Sequence, residues 1–310
     1  MSVVKNEMDK VEQRLRARET FTVIDANGEI REDVRVITAL QEEQARKIKE
    51  LKIYKQTSEN PFVFVEMGAV NKLSTLDNKM LGYFLVLQTY IDYNNMLRNR
   101  GDKLPMKNVE IRRALNISNR GTFNKIMAQF EEMGLLYRKD VELYGKQYEA
   151  VFINNEYCFR KGISGENKGK NTKSAVRVFL DSLQDVYAQE KVNAGDVGII
   201  YRAIEFLHLE SNILVTNPFE RDLLFAQALS IKEFAKSLKI TKDALYKKIR
   251  DLTYPCEYNG ELLELKVFAK ITVGNEKVLK LNPLLACRQS GSIPKDVYAE
   301  FILEYNNRSK

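Results

Sequence analysis

The stretch "ALNISNRGTFNKIMAQFEEMGLL", residues 114–136, decides the predicted fold. Its apolar pattern stops after Ile117 and restarts at Phe123, which indicates two short helices joined by a tight turn. Ile117 is expected to fill the corner, and the hydroxyl of Ser118 is expected to cap the second helix. Gly121 is expected to let the two helices approach closely. The stretch therefore predicts a helix-turn-helix.

The second helix of this motif leaves a polar face. Because Phe123, Ile126 and Phe130 are expected to enter the core, the side chains between them are expected to meet solvent. In a helix-turn-helix the start of the second helix enters the DNA major groove, where arginine suits guanine and asparagine suits adenine. The alternative is a helical hairpin with an ordinary solvated face. The predicted DNA-binding residues of this helix are Asn119, Arg120, Thr122, Asn124 and Lys125.

A second copy of the pattern lies later in the chain. Residues 231–252 repeat the sizes and spacing of residues 108–129, and both windows follow an apolar helix and precede a strand pair. A long repeat that occurs only twice predicts two related domains rather than a solenoid. Thr241 is the expected cap, and Asp243 is expected to occupy the position of Arg120. The second copy is therefore expected to contact cytosine, the DNA backbone or another protein. Its predicted DNA-binding residues are Lys242, Lys247 and Lys248.

The strand-like residues that follow each helix pair predict β-hairpin wings. In the first hairpin the turn is expected at Tyr144-Gly145-Lys146. The predicted wing residues that contact DNA are Arg138, Tyr144, Lys146 and Gln147.

The predicted fold is mainly α with small β wings, in two tandem winged helix-turn-helix domains. Other expected elements include a strand at 60–67 and helices at 77–98, 175–187, 196–208 and near 294–305. The glycine-, serine- and lysine-rich residues 163–174 supply no core and predict a basic linker. The predicted boundaries are 1–58 for an N-terminal helix, hairpin and helix extension, 59–162 for the first domain, 163–174 for the linker and 175–310 for the second domain.

Composition restricts the class of protein. The chain has 310 residues, of which 44% are hydrophobic and 29% charged, and no apolar run is long enough to span a membrane. The start is not a secretory signal, so a cytoplasmic protein is expected. The net charge of +7 favours a polyanionic partner. Three scattered cysteines without a CxxC pair indicate incidental thiols, so neither a metal nor a cofactor is expected.

The sequence gives little support for an enzyme. His208 is the only histidine, which excludes nickases that hold a metal with a His-x-His pair, and its apolar surroundings indicate a structural role. A tyrosine recombinase would place arginine three residues after this histidine, but Ser211 stands there. The chain also has no P-loop motif. We therefore expect no catalytic activity and no small-molecule substrate.

Three segments carry a resemblance to a known family: "NPFVFVEM…KLSTLDNKMLGYFLVLQTYIDYNN", "EIRRALNISNRGTFNKIMAQFEEMGLLYR" and "AVFINNEYCFRKG". Over residues 20–162 the chain resembles the winged-helix replication proteins of plasmids and phages of Gram-positive bacteria, the RepL type. The resemblance implies recognition of a double-stranded origin and no known enzyme chemistry. It would place the recognition helix on Asn119–Lys125 and the wing on about 137–153. The second half is instead similar to the two-domain architecture of other plasmid initiators or to a phage regulatory protein.

These observations predict a sequence-specific double-stranded DNA-binding protein of a plasmid or phage, either a replication initiator or a transcription regulator. The alternative is a non-catalytic interaction module that binds another protein. Residues 38–56 predict a charged helix with a narrow apolar face of Leu40, Ile48 and Leu51, which suits pairing with a second copy of the chain. Packing of this helix on its own domain is the alternative.

Overall fold

The structure is a computed structural model, and it describes residues 61–160, 174–258, 261–273, 276–289, 293, 297 and 299–302. All of these residues belong to one structural unit. The elements predicted before residue 59, including the helix at 38–56, lie outside the described residues, as does the linker apart from Ser174. The predicted last helix is described only at 297 and 299–302, where the backbone is helical.

Among the described residues up to 289 there are eight helices and ten strands, in the order one strand, four helices, four strands, four helices and five strands. The helices are α1 Met67–Lys72, α2 Asn78–Gln88, α3 Asn108–Ala114, α4 Arg120–Glu132, α5 Leu180–Ala188, α6 Ala194–Ile204, α7 Ile231–Ser237 and α8 Lys242–Arg250. The strands are β1 Phe62–Glu66, β2 Leu136–Leu143, β3 Lys146–Ile153, β4 Cys158–Phe159, β5 Ala175–Phe179, β6 Thr253–Tyr258, β7 Glu261–Lys266, β8 Phe268–Val273, β9 Glu276–Leu281 and β10 Ala286–Cys287.

The predicted fold class is wrong. The molecule is α+β with several small antiparallel sheets, and it is not a mainly α arrangement of two tandem winged helix-turn-helix domains. The two sequence halves each repeat a helix pair followed by a hairpin, but they also share a sheet and a hydrophobic core. The sequence pattern identifies the repeat, but it does not indicate that strands of the two copies pair in one sheet or that their apolar residues form one core.

The shared sheet has the strand order β10-β5-β1-β4. Strands β1 and β5 lie antiparallel at its centre, with Phe62 opposite Phe179 and Glu66 opposite Ala175. The short strand β4 pairs with β1 on one side, and the short strand β10 pairs with β5 on the other. Each half thus contributes one central and one edge strand, and exchanging the halves leaves the sheet order unchanged.

The prediction of a helix over 175–187 is wrong for its first five residues, which form β5. Val176 and Val178 are fully buried, and the strand has no exposed residue on either side. A strand buried on both faces lacks the alternation of apolar and polar residues that normally distinguishes it from a buried helix. Pairing with β1, more than one hundred residues earlier, decides its conformation.

Helices α2 and α6 pass each other at very short distance. A Cβ atom on Gly82 would lie 1.6 Å from the carbonyl oxygen of Ala194, and a Cβ on Gly198 would lie 1.7 Å from that of Asn78. The two contacts are equivalent in the two halves. In each, a glycine of one helix meets the carbonyl oxygen of the first residue of the other helix, Ala194 or Asn78. The crossing and the sheet therefore share one approximate two-fold axis.

A buried asparagine fixes the chain after each of these helices. Asn95 has a left-handed backbone with φ 62°, and its side-chain amide donates hydrogen bonds to the carbonyl oxygens of Ile153 (3.2 Å) and Cys158 (2.7 Å). Asn212 has φ 57° and donates in the same way to carbonyls at the end of β9 and in β10. The helix predicted over 77–98 is therefore wrong for its last ten residues, because α2 ends at Gln88 and turns and bridges follow it.

Among the helices that the structure describes, none is both long and apolar enough to cross a lipid bilayer.

Candidate nucleic-acid interface

The corner between α3 and α4 joins two short helices through a tight turn. Leu115 is fully buried, and Ile117 is 8% exposed and fills the corner, as predicted. Asn116 between them takes a left-handed backbone with φ 51°, and the N–H of Ile117 then donates to the carbonyl of Arg112 at 3.1 Å. This reversal ends α3 and redirects the chain into α4.

Asn119, and not Ser118, caps α4. The side-chain oxygen Oδ1 of Asn119 accepts a hydrogen bond from the N–H of Thr122 at 2.9 Å. The predicted cap at Ser118 is therefore wrong by one residue. Asn119 remains exposed, but one of its polar atoms already stabilises the helix start. The expected role of Gly121 is also wrong, because a Cβ there would meet only Asn119 Oδ1, at 3.2 Å.

Helix α4 separates an apolar face from a polar one. The buried residues are Phe123, Ile126, Met127 and Phe130. The opposite side, on the first two turns, carries four predicted DNA-binding residues that are all exposed: Arg120, Thr122, Asn124 and Lys125. Their side chains form no hydrogen bond or ion pair with any other residue in the described part of the chain. The cations among them are therefore not neutralised by neighbouring carboxylates there.

The hairpin of β2 and β3 follows α4 directly. Its tip is Tyr144-Gly145, with φ of 54° and 71°, which is the backbone of a type I′ turn. The predicted turn is therefore confirmed. Tyr144 is 71% exposed, and Lys146 and Gln147 beside it are also exposed. These three residues are available to a partner, and their contact with DNA remains a prediction.

Arg138 has a different environment from the rest of the predicted wing contacts. Its Nε donates to Oε1 of Glu131 at 2.8 Å, and its Nη1 donates to Oε2 of Glu149 at 2.9 Å. Two carboxylates therefore compensate its charge and hold it between α4 and the hairpin. Arg138 therefore links the hairpin to α4, and its charge is less available to DNA than that of an unpaired arginine.

The second corner, between α7 and α8, repeats the first with a turn that is one residue shorter. Lys239 has the left-handed backbone (φ 57°), and the hydroxyl of Thr241 accepts from the N–H of Ala244 at 3.1 Å, which confirms the predicted cap. Because the caps align, Lys242 takes the position of Arg120. The expected correspondence of Asp243 with Arg120 is wrong, since Asp243 lies one position further along.

Two lysines converge on one aromatic ring at this corner. Lys242 Nζ lies 5.6 Å from the centroid of the Tyr246 ring, and Lys270 Nζ from strand β8 lies 4.2 Å from it. Cations at this distance are attracted by the negative face of the ring. Lys270 is not among the predicted DNA-binding residues, because no local pattern shows which lysine of a later hairpin contacts this helix.

The adjacent residues Lys247 and Lys248 differ in their contacts. Lys247 is exposed. Lys248 Nζ donates to Oδ1 of Asp196 at 2.6 Å, and the side chain of Asp196 is only 10% exposed. Asp196 also accepts from the backbone N–H of Asn193 in the cap of α6. Lys248 thus ties α8 to α6, which makes it a poor candidate for DNA contact.

His208 is fully buried, and its Nδ1 lies 3.0 Å from the hydroxyl of Ser211. Burial lowers the pKa of His208, although the nearby charge of Glu210 opposes the shift. In the described residues the three cysteines form no disulfide, and no group of three or more histidine, cysteine, aspartate or glutamate side chains could hold a metal ion.

These contacts define the candidate interface as the exposed side of α4, the tip of the β2–β3 hairpin, and the Lys242, Lys247 and Lys270 cluster of the second corner. Comparison of the chain with protein-family models, with curated proteins and with solved structures finds no match.

Proposed function

We propose that the chain binds double-stranded DNA and that the exposed side of α4 enters the major groove. The observation that carries this proposal is the set of exposed polar side chains on the first two turns of α4, which form no ion pair with any residue that the structure describes. Arg120 suits the acceptor pair of guanine, and Asn124 suits the donor and acceptor of adenine. Thr122 and Lys125 suit phosphate oxygens.

In this proposal the second corner holds DNA mainly through its charge. Lys242, Lys247 and Lys270 are exposed cations, and the helix α8 has no asparagine, glutamine or arginine on its first two turns. Lysine contacts with phosphate add affinity that does not depend on sequence. Two corners related by an approximate two-fold axis suit two half-sites about one helical turn apart, or more.

For the biological role, we propose a replication initiator or a transcription regulator of a plasmid or phage. Support comes from the resemblance of residues 20–162 to RepL-type replication proteins. Mapping of bound sites across the host and plasmid genomes separates the two roles. A single array of repeated sites is expected for an initiator, whereas scattered promoter sites would indicate a regulator.

The direct test uses the full chain and a duplex selected from a random library. Arg120→Ala is expected to weaken binding to the selected duplex by about 1–3 kcal/mol and to relax the choice of one base. Fluorescence anisotropy on the selected and on random duplexes measures both effects. Arg100→Ala is the matched control, because Arg100 is also exposed but is paired with both carboxylate oxygens of Asp181 at 2.8 Å.

Two results would contradict the proposal or part of it. Equal losses on selected and random duplexes would show that Arg120 only contacts phosphate. Wild-type binding to random duplex should also weaken steeply as salt rises, since several cations displace counterions. Absence of any binding at low salt would favour the alternative, a module that binds another protein.

A further inference from the structure

The loop between α6 and α7 exposes a set of large apolar side chains. Within residues 217–225, hereafter the apolar loop, Phe219 is 62% exposed, Leu223 49%, Leu224 88% and Phe225 70%. Single exposed apolar residues are common on protein surfaces, but four within nine consecutive residues is a concentration of exposed apolar surface of the kind found at interaction sites.

The conformation of the apolar loop is fixed by hydrogen bonds within it. Asn217 Oδ1 accepts from the N–H of Gln227 at 2.7 Å, and Asn217 Nδ2 donates to the carbonyl of Phe225 at 3.1 Å. Oδ1 of Asp222 accepts from the N–H of Leu224 at 2.9 Å. The apolar side chains are therefore held outward, and a partner would meet a preformed surface.

The repeat provides an internal comparison for this loop. The isolated bridge between Ile91 and Leu97 corresponds to the bridge between Leu207 and Leu214, and a connection to the helix-turn-helix follows each. In the first half this connection is shorter and reads "RNRGDKLPMK", with Leu104 as its one exposed large apolar residue. The repeated fold therefore does not require an exposed apolar surface here.

The charges of the apolar loop disfavour nucleic acid and suit a copy of itself. Glu220, Arg221 and Asp222 alternate in sign, and Glu210 lies in the preceding turn. Carboxylates outnumber cations here even when Arg288, whose guanidinium lies 5.1 Å from the centroid of the Phe219 ring, is counted, and this balance disfavours a phosphate backbone. Under a two-fold axis, however, Arg221 of each copy can meet Asp222 of the other.

The size and shape of the surface also suit a dimer. At about 200 Å² for each large side chain, the four residues expose on the order of 500 Å². With a polar rim this approaches the ~800 Å² that each partner contributes to a standard interface. Next to the apolar loop lies a cleft whose apolar lining is Met67, Phe206, Pro218 and Phe219, with the polar residues Glu205, Thr216, Asn217 and Glu220 also in its wall. Leu224, the most exposed of the large apolar side chains, offers a projection of suitable size.

From these observations we infer that a second copy of this chain docks on the apolar loop. Each copy inserts Leu224 into the cleft of the other, and Arg221 pairs with Asp222 across the two-fold axis. The contact uses no residue of the candidate DNA interface, so it would join two chains without using the exposed residues of α4. It does not depend on the proposed DNA binding.

The first experiment measures the mass of the full chain without DNA by sedimentation velocity, from about 1 to 100 µM, the range that covers weak and standard interfaces. We expect a monomer–dimer equilibrium whose dissociation constant rises at least about 30-fold in Leu224→Asp, because a carboxylate would be buried in the contact. Leu262→Asp is the matched control, since Leu262 is 73% exposed but lies on β7. It is expected to leave the equilibrium unchanged.

A charge exchange gives an independent test. Arg221→Glu alone and Asp222→Arg alone should each weaken the dimer, because each places like charges opposite one another. An equimolar mixture of the two variants should form a mixed dimer, because both cross-pairs are then attractive.

Three results would overturn the inference: a wild-type chain that stays monomeric at 100 µM, a dimer that Leu224→Asp does not weaken, or a mixture of charge variants without a mixed dimer. A dimer that Leu224→Asp does not weaken would indicate a different dimer contact, such as one through residues 38–56. If single-stranded DNA bound a monomeric wild type and not Leu224→Asp, the apolar loop would be a nucleic-acid site instead. Leu224→Asp is expected to lose the dimer but to retain duplex binding. Absence of a dimer in the wild type and absence of DNA binding are therefore separate results.

Discussion

At the scale of single residues, Lys247 and Lys248 show how neighbours on one helix acquire different roles. Lys247 is exposed to solvent, while Lys248 donates a 2.6 Å hydrogen bond to the nearly buried Asp196. From the sequence, both are lysines on the polar face of one helix, and only the position of α6 distinguishes them. Lys247 is thus accessible to a partner, whereas Lys248 makes a contact within the fold.

The first prediction compares alanine variants of these two lysines. Lys248→Ala should lower the free energy of unfolding by about 1–2 kcal/mol, because Asp196 loses a charged partner. Lys247→Ala should leave stability unchanged, weaken binding to all duplexes about equally and reduce the salt slope by about one. Urea unfolding and anisotropy at several salt concentrations measure the two effects. The same stability loss in both variants would contradict the assignment.

At the first corner, the predicted pair of helices is present, but the capping residue is Asn119, one position after the predicted Ser118. Ser118 and Asn119 are both good capping residues, so local preference alone does not choose between them. The left-handed backbone at Asn116 and the hydrogen bond of Ile117 to Arg112 set where α4 begins, and that start selects Asn119. The same shift of one residue accounts for the wrong placement of Asp243.

At the scale of elements, the crossing of α2 and α6 depends on two glycines. A Cβ on Gly82 or Gly198 would overlap a carbonyl oxygen of the other helix, and the backbone there has no flexible atom that could move aside. The close approach lets the two helices pack directly on each other within the hydrophobic core that both halves share.

The second prediction follows from this contact. Gly82→Ala should force the helices apart and destabilise the protein by about 3 kcal/mol, despite the better helix propensity of alanine. Gly68→Ala in α1 is the matched control, because a Cβ there meets nothing within 4 Å. Thermal and urea unfolding measure both variants. A Gly82→Ala protein as stable as the control would show that the helices do not approach this closely.

At the scale of the whole molecule, the two repeats depend on each other. The central strands β1 and β5 come from different halves, and the core connects residues such as Phe84, Phe130 and Tyr201 across them. The ring centroids of Phe84 and Tyr201 are 6.2 Å apart. The described residues should therefore unfold as one cooperative unit, unlike two domains on a linker.

The third prediction tests this dependence with the fragment 59–162, which the sequence marked as a separate domain. Without the second half, β1 keeps only the two-residue strand β4 as a partner, and the glycine-containing side of α2 is uncovered. We expect the fragment to show no cooperative thermal transition by circular dichroism, whereas the full chain shows a single one. A fragment that unfolds cooperatively at the temperature of the full chain would contradict the shared core.

The sequence by itself determined the local structure of this protein. The break after Ile117, the alternation around Tyr144-Gly145 and the repeat at 231–252 identified both helix pairs, the first hairpin and the exposed residues of α4, because these depend on neighbouring residues and on helix and strand periodicity. The tertiary structure alone decided that residues 175–179 form a strand, that Arg138 and Lys248 are held by carboxylates, and that the halves share one sheet and one core. Those outcomes depend on contacts between residues far apart in the chain, which no local pattern encodes.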